Sequence, residues 1–285
     1  MKYAVSIKDL EKRYPAFRLS IDELNIPSGT IIGLIGENGA GKTTLIKAIL
    51  NIIHKDKGTV SIFGKDSEKE ELDIKEDIGV VLDNAFFPEL LTPKNIDGIM
   101  KEVYRNWKSE DFHAYLRDFG IDVKQQLKAM SKGMRKKVEI AAALAHHPKL
   151  LILDEATSGL DPIVRKEVLD LFLDFIKDDE HTIIMSTHIT SDLEHIADYI
   201  VFINKGSIVL NETRDEIIDS YGILKCDIDS FAKIDSSDIV SFIKNRYDYE
   251  ILVKDKEACR AKYEGFIIDN ITIEDLMLLM IKGGK

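Results

Sequence analysis

The sequence predicts an α/β protein: a mostly parallel β-sheet with helices on its faces, preceded by a small antiparallel sheet, interrupted by helices and followed by a small α+β extension. Three observations carry that expectation. Short apolar runs at residues 30–35, 149–153 and 182–186 have the length of buried strands. Stretches of helical spacing lie between them, the alternation that builds a parallel sheet. Each run ends near glycines, acids or a histidine, so polar groups from several strand ends would converge on one crevice.

Taken in order, YAVSIKDLEKRY and FRLSIDELNI alternate apolar and polar residues and predict the strands of an N-terminal antiparallel β-subdomain. The run 30–35 is the first core strand. It enters the glycine-rich residues 36–41, and from Lys42 the pattern TTLIKAILNII has helical spacing. Between Pro88 and about Met130 the texture is helical, in NIDGIMKEVYRNW and SEDFHAYLRDFG, with no strand signal. An inserted helical subdomain spanning about residues 84–146 is expected there. Past Arg214 the segments LKCDI, SDIVSFIKNR and YEILVKD predict strand, helix and strand, closed by an amphipathic helix in ITIEDLMLLMIKG. Two domains follow, at residues 1–214 and 215–285. No internal repeat or low-complexity tract is present.

With 285 residues, 45% hydrophobic and 31% charged, the chain can bury one sizeable core or two modest ones. No run reaches the ~18 apolar residues of a spanning helix, and the N-terminus lacks the apolar core of a secretory signal. A protein on the cytosolic side is expected. Cys226 and Cys259 have no metal-ligand spacing and are too few for a disulfide framework, so both are expected to be reduced. A net charge of −11 argues against nucleic acid as a partner. The short basic run Arg135, Lys136, Lys137 reads as a solvated helix face.

Two motifs carry chemistry. Gly36, Glu37, Asn38, Gly39, Ala40, Gly41, Lys42 and Thr43 match the pattern G-x-x-x-x-G-K-[ST]. Backbone amides of such a loop wrap phosphate oxygens, glycines let the chain approach closely, and the following helix N-terminus, where Thr44 continues the loop, favours an anion. Lys42 would reach the β- and γ-phosphates and the Thr43 hydroxyl would ligate Mg²⁺. Asp154 and Glu155 follow an apolar strand, where one carboxylate can hold hydrated Mg²⁺ and the next can polarise water for attack on the γ-phosphate. The expectation is a P-loop NTPase core that binds Mg-ATP and hydrolyses it.

In combination these residues resemble the ATP-binding cassette (ABC) ATPases. Met130, Ser131, Lys132, Gly133 and Met134 stand at the place of that family's LSGGQ signature, followed by LLILDEATSGLDP and then STH, in matching order and spacing over roughly residues 1–215. The resemblance implies that Asp154 is the Walker B carboxylate, Glu155 the general base and His188 the switch histidine at the γ-phosphate. It implies that Asp161 lies in a loop crossing a dimer interface, and that Tyr14 stacks on adenine, with Phe17 as the competing aromatic. In the family two cassettes dimerise head to tail, so Ser131 and the Gly133 amide would face the γ-phosphate of the ATP held by the partner. Ser131 also reads as a plain helix N-cap, and both roles can coexist.

Two positions depart from the family pattern. Asp83 stands where a glutamine is usual; it can ligate Mg²⁺ or accept a bond from water but cannot donate one. Lys132 and Met134 replace a glycine and a glutamine of the signature, and Lys132 either brings charge near the partner's phosphate or points to solvent. The SKGM form and the C-terminal IEDLMLLMIKGG resemble cassettes of bacitracin-type and related multidrug exporters. That resemblance implies a transport-coupled ATPase, peripheral on the inner face of the cell membrane. Its partners would be a membrane-spanning subunit on a separate chain and a second cassette, identical or not. Competing readings are a soluble cassette ATPase acting on ribosomes or DNA, and a regulatory module that no longer hydrolyses ATP. The former lacks its second cassette or coiled coil here; the latter is opposed by the retention of Lys42, Asp154, Glu155 and His188.

Overall fold

A computed structural model describes residues 3–83 and 87–284. Strands β1 (Tyr3–Tyr14) and β2 (Phe17–Pro27) precede β3 (Ile31–Ile35) and helix α1 (Lys42–Ile49). Next come β4 (Lys57–Ile62), β5 (Lys65–Asp66), α2 (Glu71–Glu76) and β6 (Ile78–Val81). Three helices follow, α3 (Pro93–Val103), α4 (Ser109–Asp118) and α5 (Lys132–Leu144). The chain then runs through β7 (Leu150–Asp154), α6 (Pro162–Phe175), β8 (Thr182–Ser186), α7 (Thr190–Ile196), β9 (Tyr199–Asn204), β10 (Ser207–Thr213) and α8 (Arg214–Ser220). It ends in β11 (Gly222–Asp227), β12 (Ser241–Lys244), β13 (Asp248–Val253), α9 (Lys256–Lys262), β14 (Ile267–Asn270) and α10 (Ile273–Lys282).

The central sheet has the order β10-β9-β3-β8-β7-β6, parallel from β9 to β6, with β10 antiparallel at one edge. Its apolar runs are sorted by the two-residue period of a strand. Ile31, Ile35, Leu151, Leu153, Ile183 and Met185 enter one core with residues of α6, α7 and α10. Ile32, Leu34, Leu150, Ile152 and Ile184 enter a second core with β1, β2 and α1. Both faces are covered, which is why these strands read as continuous apolar runs rather than as an alternation. Truncating a residue such as Leu151, fully buried, would cost about 2–5 kcal/mol.

The antiparallel sheet β2-β1-β4-β5 forms as expected from the alternation in β1 and β2, and β4 and β5 complete it from beyond α1. The inserted segment is helical: α3, α4 and α5 pack Ile96, Phe112, Leu116 and Val138 into a separate core. Its expected start at residue 84 falls on residues 84–86, outside the described residues. Thr92 caps α3 with a reciprocal Thr92–Asn95 box and Pro93 at the first turn.

The C-terminal segment corrects one expectation. SDIVSFIKNR was expected to be helical, but Ser241–Lys244 is a strand paired antiparallel with β13, in the sheet β12-β13-β11-β14. Ile239, Val240 and Ile243 are β-branched and lose side-chain freedom in a helix, and the ladder from Ser241↔Leu252 to Lys244↔Tyr249 supplies the backbone partners. Helix α9 and strand β14 were not foreseen; α10 was. The sheet is not isolated from the rest: Ile223, Leu252, Ile271, Leu276 and Leu279 share the core of β7 and β8. Ile273 N–H also donates to Glu194 Oε1 at 2.9 Å, tying the start of α10 to α7.

Candidate functional site

The phosphate-loop residues occupy the turn between β3 and α1. Gly36, Gly39 and Gly41 adopt φ of 154°, 82° and 118°. At Gly41 a Cβ would lie 3.0 Å from the Phe17 ring, and at Gly36 it would collide with the Ile203 carbonyl. These glycines let the loop close over itself against β2 and β9. Ala40 N–H donates to Glu37 O at 3.1 Å and Gly206 N–H to Ala40 O at 2.8 Å, fixing the loop to its own turn and to the β9–β10 hairpin.

Lys42 is 7% exposed. Its ammonium donates to Gly36 O at 2.7 Å and Glu37 O at 3.2 Å. An ammonium has three N–H bonds, so one remains for an anion in the cleft. Burial lowers the Lys42 pKa, and the charges of Glu155 and Asp154 oppose that effect. Little water screens the buried ammonium, so it attracts an anion more strongly than an exposed lysine would, while the two carboxylates offset part of that attraction.

Thr43 Oγ1 donates to Asp154 Oδ2 at 2.9 Å, joining the first turn of α1 to the end of β7. Asp154 is 3% exposed, and its other oxygen accepts from Ser186 Oγ at the end of β8. Thr43, Asp154 and Asp83 all line one cleft of about 510 Å³ with Glu37, Asn38, Gly39, Gly41, Lys42, Thr44 and Glu155. Hydroxyl and carboxylate oxygens are hard donors, so this set fits Mg²⁺ rather than a soft metal. The residues present also fit a nucleoside triphosphate, with a glycine cradle and a buried lysine for its phosphates.

Glu155, the residue after β7, sits at φ 53°, a left-handed conformation that costs a residue with a Cβ about 1–3 kcal/mol. Its N–H donates to Ser186 O at 3.0 Å, which holds it there. Glu155 Oε2 lies 2.7 Å from His188 Nδ1. A carboxylate at Nδ1 fixes the proton on that nitrogen and leaves Nε2 to face other groups.

Other predicted residues lie apart from this group. Phe17, not Tyr14, lines the cleft; Tyr14 is 42% exposed at the end of β1, its ring centroid 6.4 Å from that of Phe17, with the Lys12 ammonium 5.5 Å above it. Ser131 caps α5, accepting from Met134 N–H at 3.2 Å, and does not line the cleft within its own chain. Gly133 packs toward Leu160 and Val164. Lys132 is exposed and its side chain lies over Gly159, the ammonium 2.7 Å from where a Cβ there would lie, with Gly159 at φ 70°. Asp161 caps α6 through Ile163 and Val164 N–H, both at 3.1 Å.

The basic run is a correction. Lys136 and Lys137 are 5% and 8% exposed rather than solvated. Lys136 Nζ donates to Leu82 O at 2.9 Å, next to Asp83, and pairs with Glu139 at 2.9 Å. Lys137 pairs with Glu167 at 2.5 Å. Only Arg135 remains partly exposed, pairing with Glu89 at 2.8 Å. Side-chain burial on a helix that is covered on most of its circumference cannot be read from charge alone.

Sequence reasoning also missed a buried network behind Glu155 and His188. Asp192, 1% exposed, accepts from Thr157 Oγ1 at 2.7 Å and Arg165 Nε at 2.5 Å, while Arg165 also donates to Ser191 at 2.9 Å. This ties the loop after β7 to α6 and α7. No local motif marks Asp192, because its partners are 27 and 35 residues away. Cys226 and Cys259 are both buried free thiols whose pKa burial raises, as expected of reduced structural cysteines.

Comparison with known proteins agrees with this geometry. A family model described as ABC transporter matches residues 19–158. The bacitracin transport ATP-binding protein BcrA of Bacillus licheniformis is 35% identical, the match covering 73% of this chain and 69% of BcrA. The lantibiotic transport ATP-binding protein SrtF of Streptococcus pyogenes is 34% identical over 74% of this chain and 91% of its own length. A solved structure titled as the ATP binding subunit of an ABC transporter superposes with a TM-score of 0.68 at 26% identity, covering 75% of this chain and 91% of that one.

Proposed function

Because the chain belongs to the ABC transporter family, as an ATP-binding subunit that hydrolyses ATP, we propose that it drives an exporter whose membrane-spanning part is a separate chain. The observation that carries this reading is the single cleft in which Lys42, Thr43, Asp83, Asp154 and Glu155 meet. Export is supported by the relatives, whose names tie them to bacitracin and lantibiotic transport. No helix among the described residues is long and apolar enough to cross a membrane, which fits a pathway supplied by another chain.

In the mechanism, the loop amides of residues 36–44 and the Lys42 ammonium bind the phosphates. Thr43, Asp154 and Asp83 would hold Mg²⁺, which would neutralise charge on the bound phosphates. Asp154 is kept in place by Ser186, so the carboxylate does not reorient as charge develops. Glu155 orients and accepts a proton from the attacking water, its carboxylate held by His188. His188 Nε2 faces the γ-phosphate. Tyr14, whose ring centroid lies 6.4 Å from that of the cleft-lining Phe17, stacks on the adenine.

A second copy of this chain, or a related cassette, completes the site: Ser131 and the Gly133 amide at the start of α5 meet the γ-phosphate across the dimer. ATP then favours the closed dimer because it binds both halves, and hydrolysis removes that preference. Residues 1–214 form the ATPase unit and 215–285 an accessory one.

The membrane partner docks at an apolar cleft of about 300 Å³ beside Asp83, lined by Val80, Leu82, Phe87, Met100 and Tyr104. Ile52 also lines it and is 56% exposed, and α3 carries Ile99 and Val103, 46% and 59% exposed. An exposed apolar rim of this kind marks an interaction surface. The decisive experiment is Mg-ATP hydrolysis by the purified chain, in which Lys42→Ala should abolish both turnover and nucleotide binding. Turnover that survives this change would refute the assignment of the site.

A further inference from the structure

Behind the nucleotide cleft lies a buried ionic group that does not line it. Asp192, in the first turn of α7, is 1% exposed. One of its oxygens lies 2.5 Å from both Nε and Nη2 of Arg165 on α6, and the other accepts from Thr157 Oγ1 at 2.7 Å. Thr157 is fully buried, and none of the three residues belongs to the wall of the cleft. Taking a carboxylate out of water is costly, and apolar residues of similar volume often stabilise a fold as well as a buried ion pair does. Fastening α6 to α7 therefore does not by itself account for a carboxylate here, and its directional bond to Thr157 does more.

Thr157 follows Glu155 by two residues and Asp192 follows His188 by four. Their bond is thus a second link between the two chain segments already joined by Glu155 Oε2 and His188 Nδ1 at 2.7 Å. Glu155 needs such support, because at φ 53° its backbone is strained and must be held by its surroundings. Its N–H is held by Ser186 O at 3.0 Å, and its carbonyl accepts from Ser158 N–H at 3.1 Å within the turn that follows. The Thr157 hydroxyl ties that turn to α7. We infer that Asp192 is a positioning residue for Glu155, acting through Thr157 and itself held by Arg165. Release of Thr157 lets the strained turn relax and carries the Glu155 carboxylate away from the attacking water. A displacement of about 1 Å is enough to slow a reaction on the order of 100-fold. This role rests on the reading of Glu155 as the group that accepts the proton.

Thr157→Val keeps the shape of the side chain and removes its hydroxyl, whereas Thr157→Ser keeps the hydroxyl and removes a methyl group. These variants and Asp192→Asn are made in the full-length chain, each alone and combined with Glu155→Gln. Single-turnover rate of Mg-ATP hydrolysis, Kd for Mg-ATP and thermal unfolding are measured for each. Thr157→Val and Asp192→Asn should lower the rate about tenfold or more and leave Kd within about twofold, with Thr157→Ser close to wild type. In Glu155→Gln the same two changes should lower the remaining rate by less than about twofold, because the group they position is already gone. Should Asp192→Asn fail to fold, the two Thr157 variants, which leave Arg165 paired, decide the matter. A wild-type rate in folded Thr157→Val, or an equal loss in Thr157→Ser, would overturn the positioning role. So would a loss of affinity that matches the loss of rate, or an undiminished effect in Glu155→Gln. A wild type that does not hydrolyse Mg-ATP, or a Glu155→Gln variant at full rate, would refute the reading of Glu155 itself. An inactive Glu155→Gln beside an unaffected Thr157→Val would refute only the role of Asp192.

Discussion

His188 Nδ1 lies 2.7 Å from Glu155 Oε2, so the residue that leaves β7 and the residue that follows β8 by two positions are joined at the mouth of the cleft. Parallel pairing of β7 with β8, in register from Leu150↔Thr182 to Asp154↔Ser186, brings them there. His188→Ala should lower kcat for ATP about 100-fold while leaving the Kd for Mg-ATP within threefold, since it removes a group that acts on the reacting phosphate rather than one that holds the nucleotide. Steady-state kinetics with equilibrium binding checks this. A matched loss of affinity would make His188 a binding residue only.

Asp154 is shared between Thr43 and Ser186. Asp154→Asn keeps the shape but removes the charge that a divalent cation requires. The Mg²⁺ concentration at half-maximal activity should rise about 10- to 100-fold, and ethylenediaminetetraacetate should abolish wild-type turnover. Unchanged Mg²⁺ dependence in the variant would remove Asp154 from the metal site.

The two aromatics near the loop are separated by nucleotide affinity. Base stacking on an aromatic ring contributes about 1–3 kcal/mol, so Tyr14→Ala should weaken ATP binding about 10-fold or more, measured with a fluorescent ATP analogue. Phe17 packs with the β1–β2 core and meets Gly41, so Phe17→Ala should lower thermal stability as well as affinity. An unaffected Tyr14→Ala with a weakened Phe17→Ala would move the adenine onto Phe17.

His146 gives a pH dependence with a defined sign. It is 1% exposed, stacks on Tyr104 at 4.0 Å, and Nε2 lies 3.0 Å from Ile78 O. Burial is the largest effect on it and holds its pKa below the ordinary value of 6.5. Below that value the unfolded chain binds more protons at this position than the folded one, so stability falls as pH drops through 6.5 toward the folded pKa. The contribution is fully present above 6.5 and has a slope of at most about 1.4 kcal/mol per pH unit. His146→Gln should flatten that part of the stability–pH curve from urea unfolding between pH 5 and 7.5. An identical slope in the variant would assign it to other groups.

Most of the fold was legible because its period is simple. Three apolar runs marked β3, β7 and β8, and their ends named Lys42, Asp154, Glu155 and His188. What was not legible depends on partners remote in sequence. Lys136 reads as a surface lysine until α5 is seen packed so that its ammonium meets Leu82 O, 54 residues back. Asp192 carries no motif, yet it anchors Thr157 and Arg165. In the C-terminal sheet, Ser241–Lys244 has too short a run for its period to separate strand from helix, and pairing with β13 decides the outcome.

The most direct test of the central claim is Glu155→Gln, compared with the wild type by Mg-ATP hydrolysis and by light scattering at several protein concentrations. Glutamine keeps the shape of Glu155 but cannot accept the proton, so kcat should fall about 10²- to 10⁴-fold while an ATP-dependent dimer persists and accumulates. A variant that hydrolyses ATP at the wild-type rate, or that binds ATP and stays monomeric at every concentration, would contradict the account.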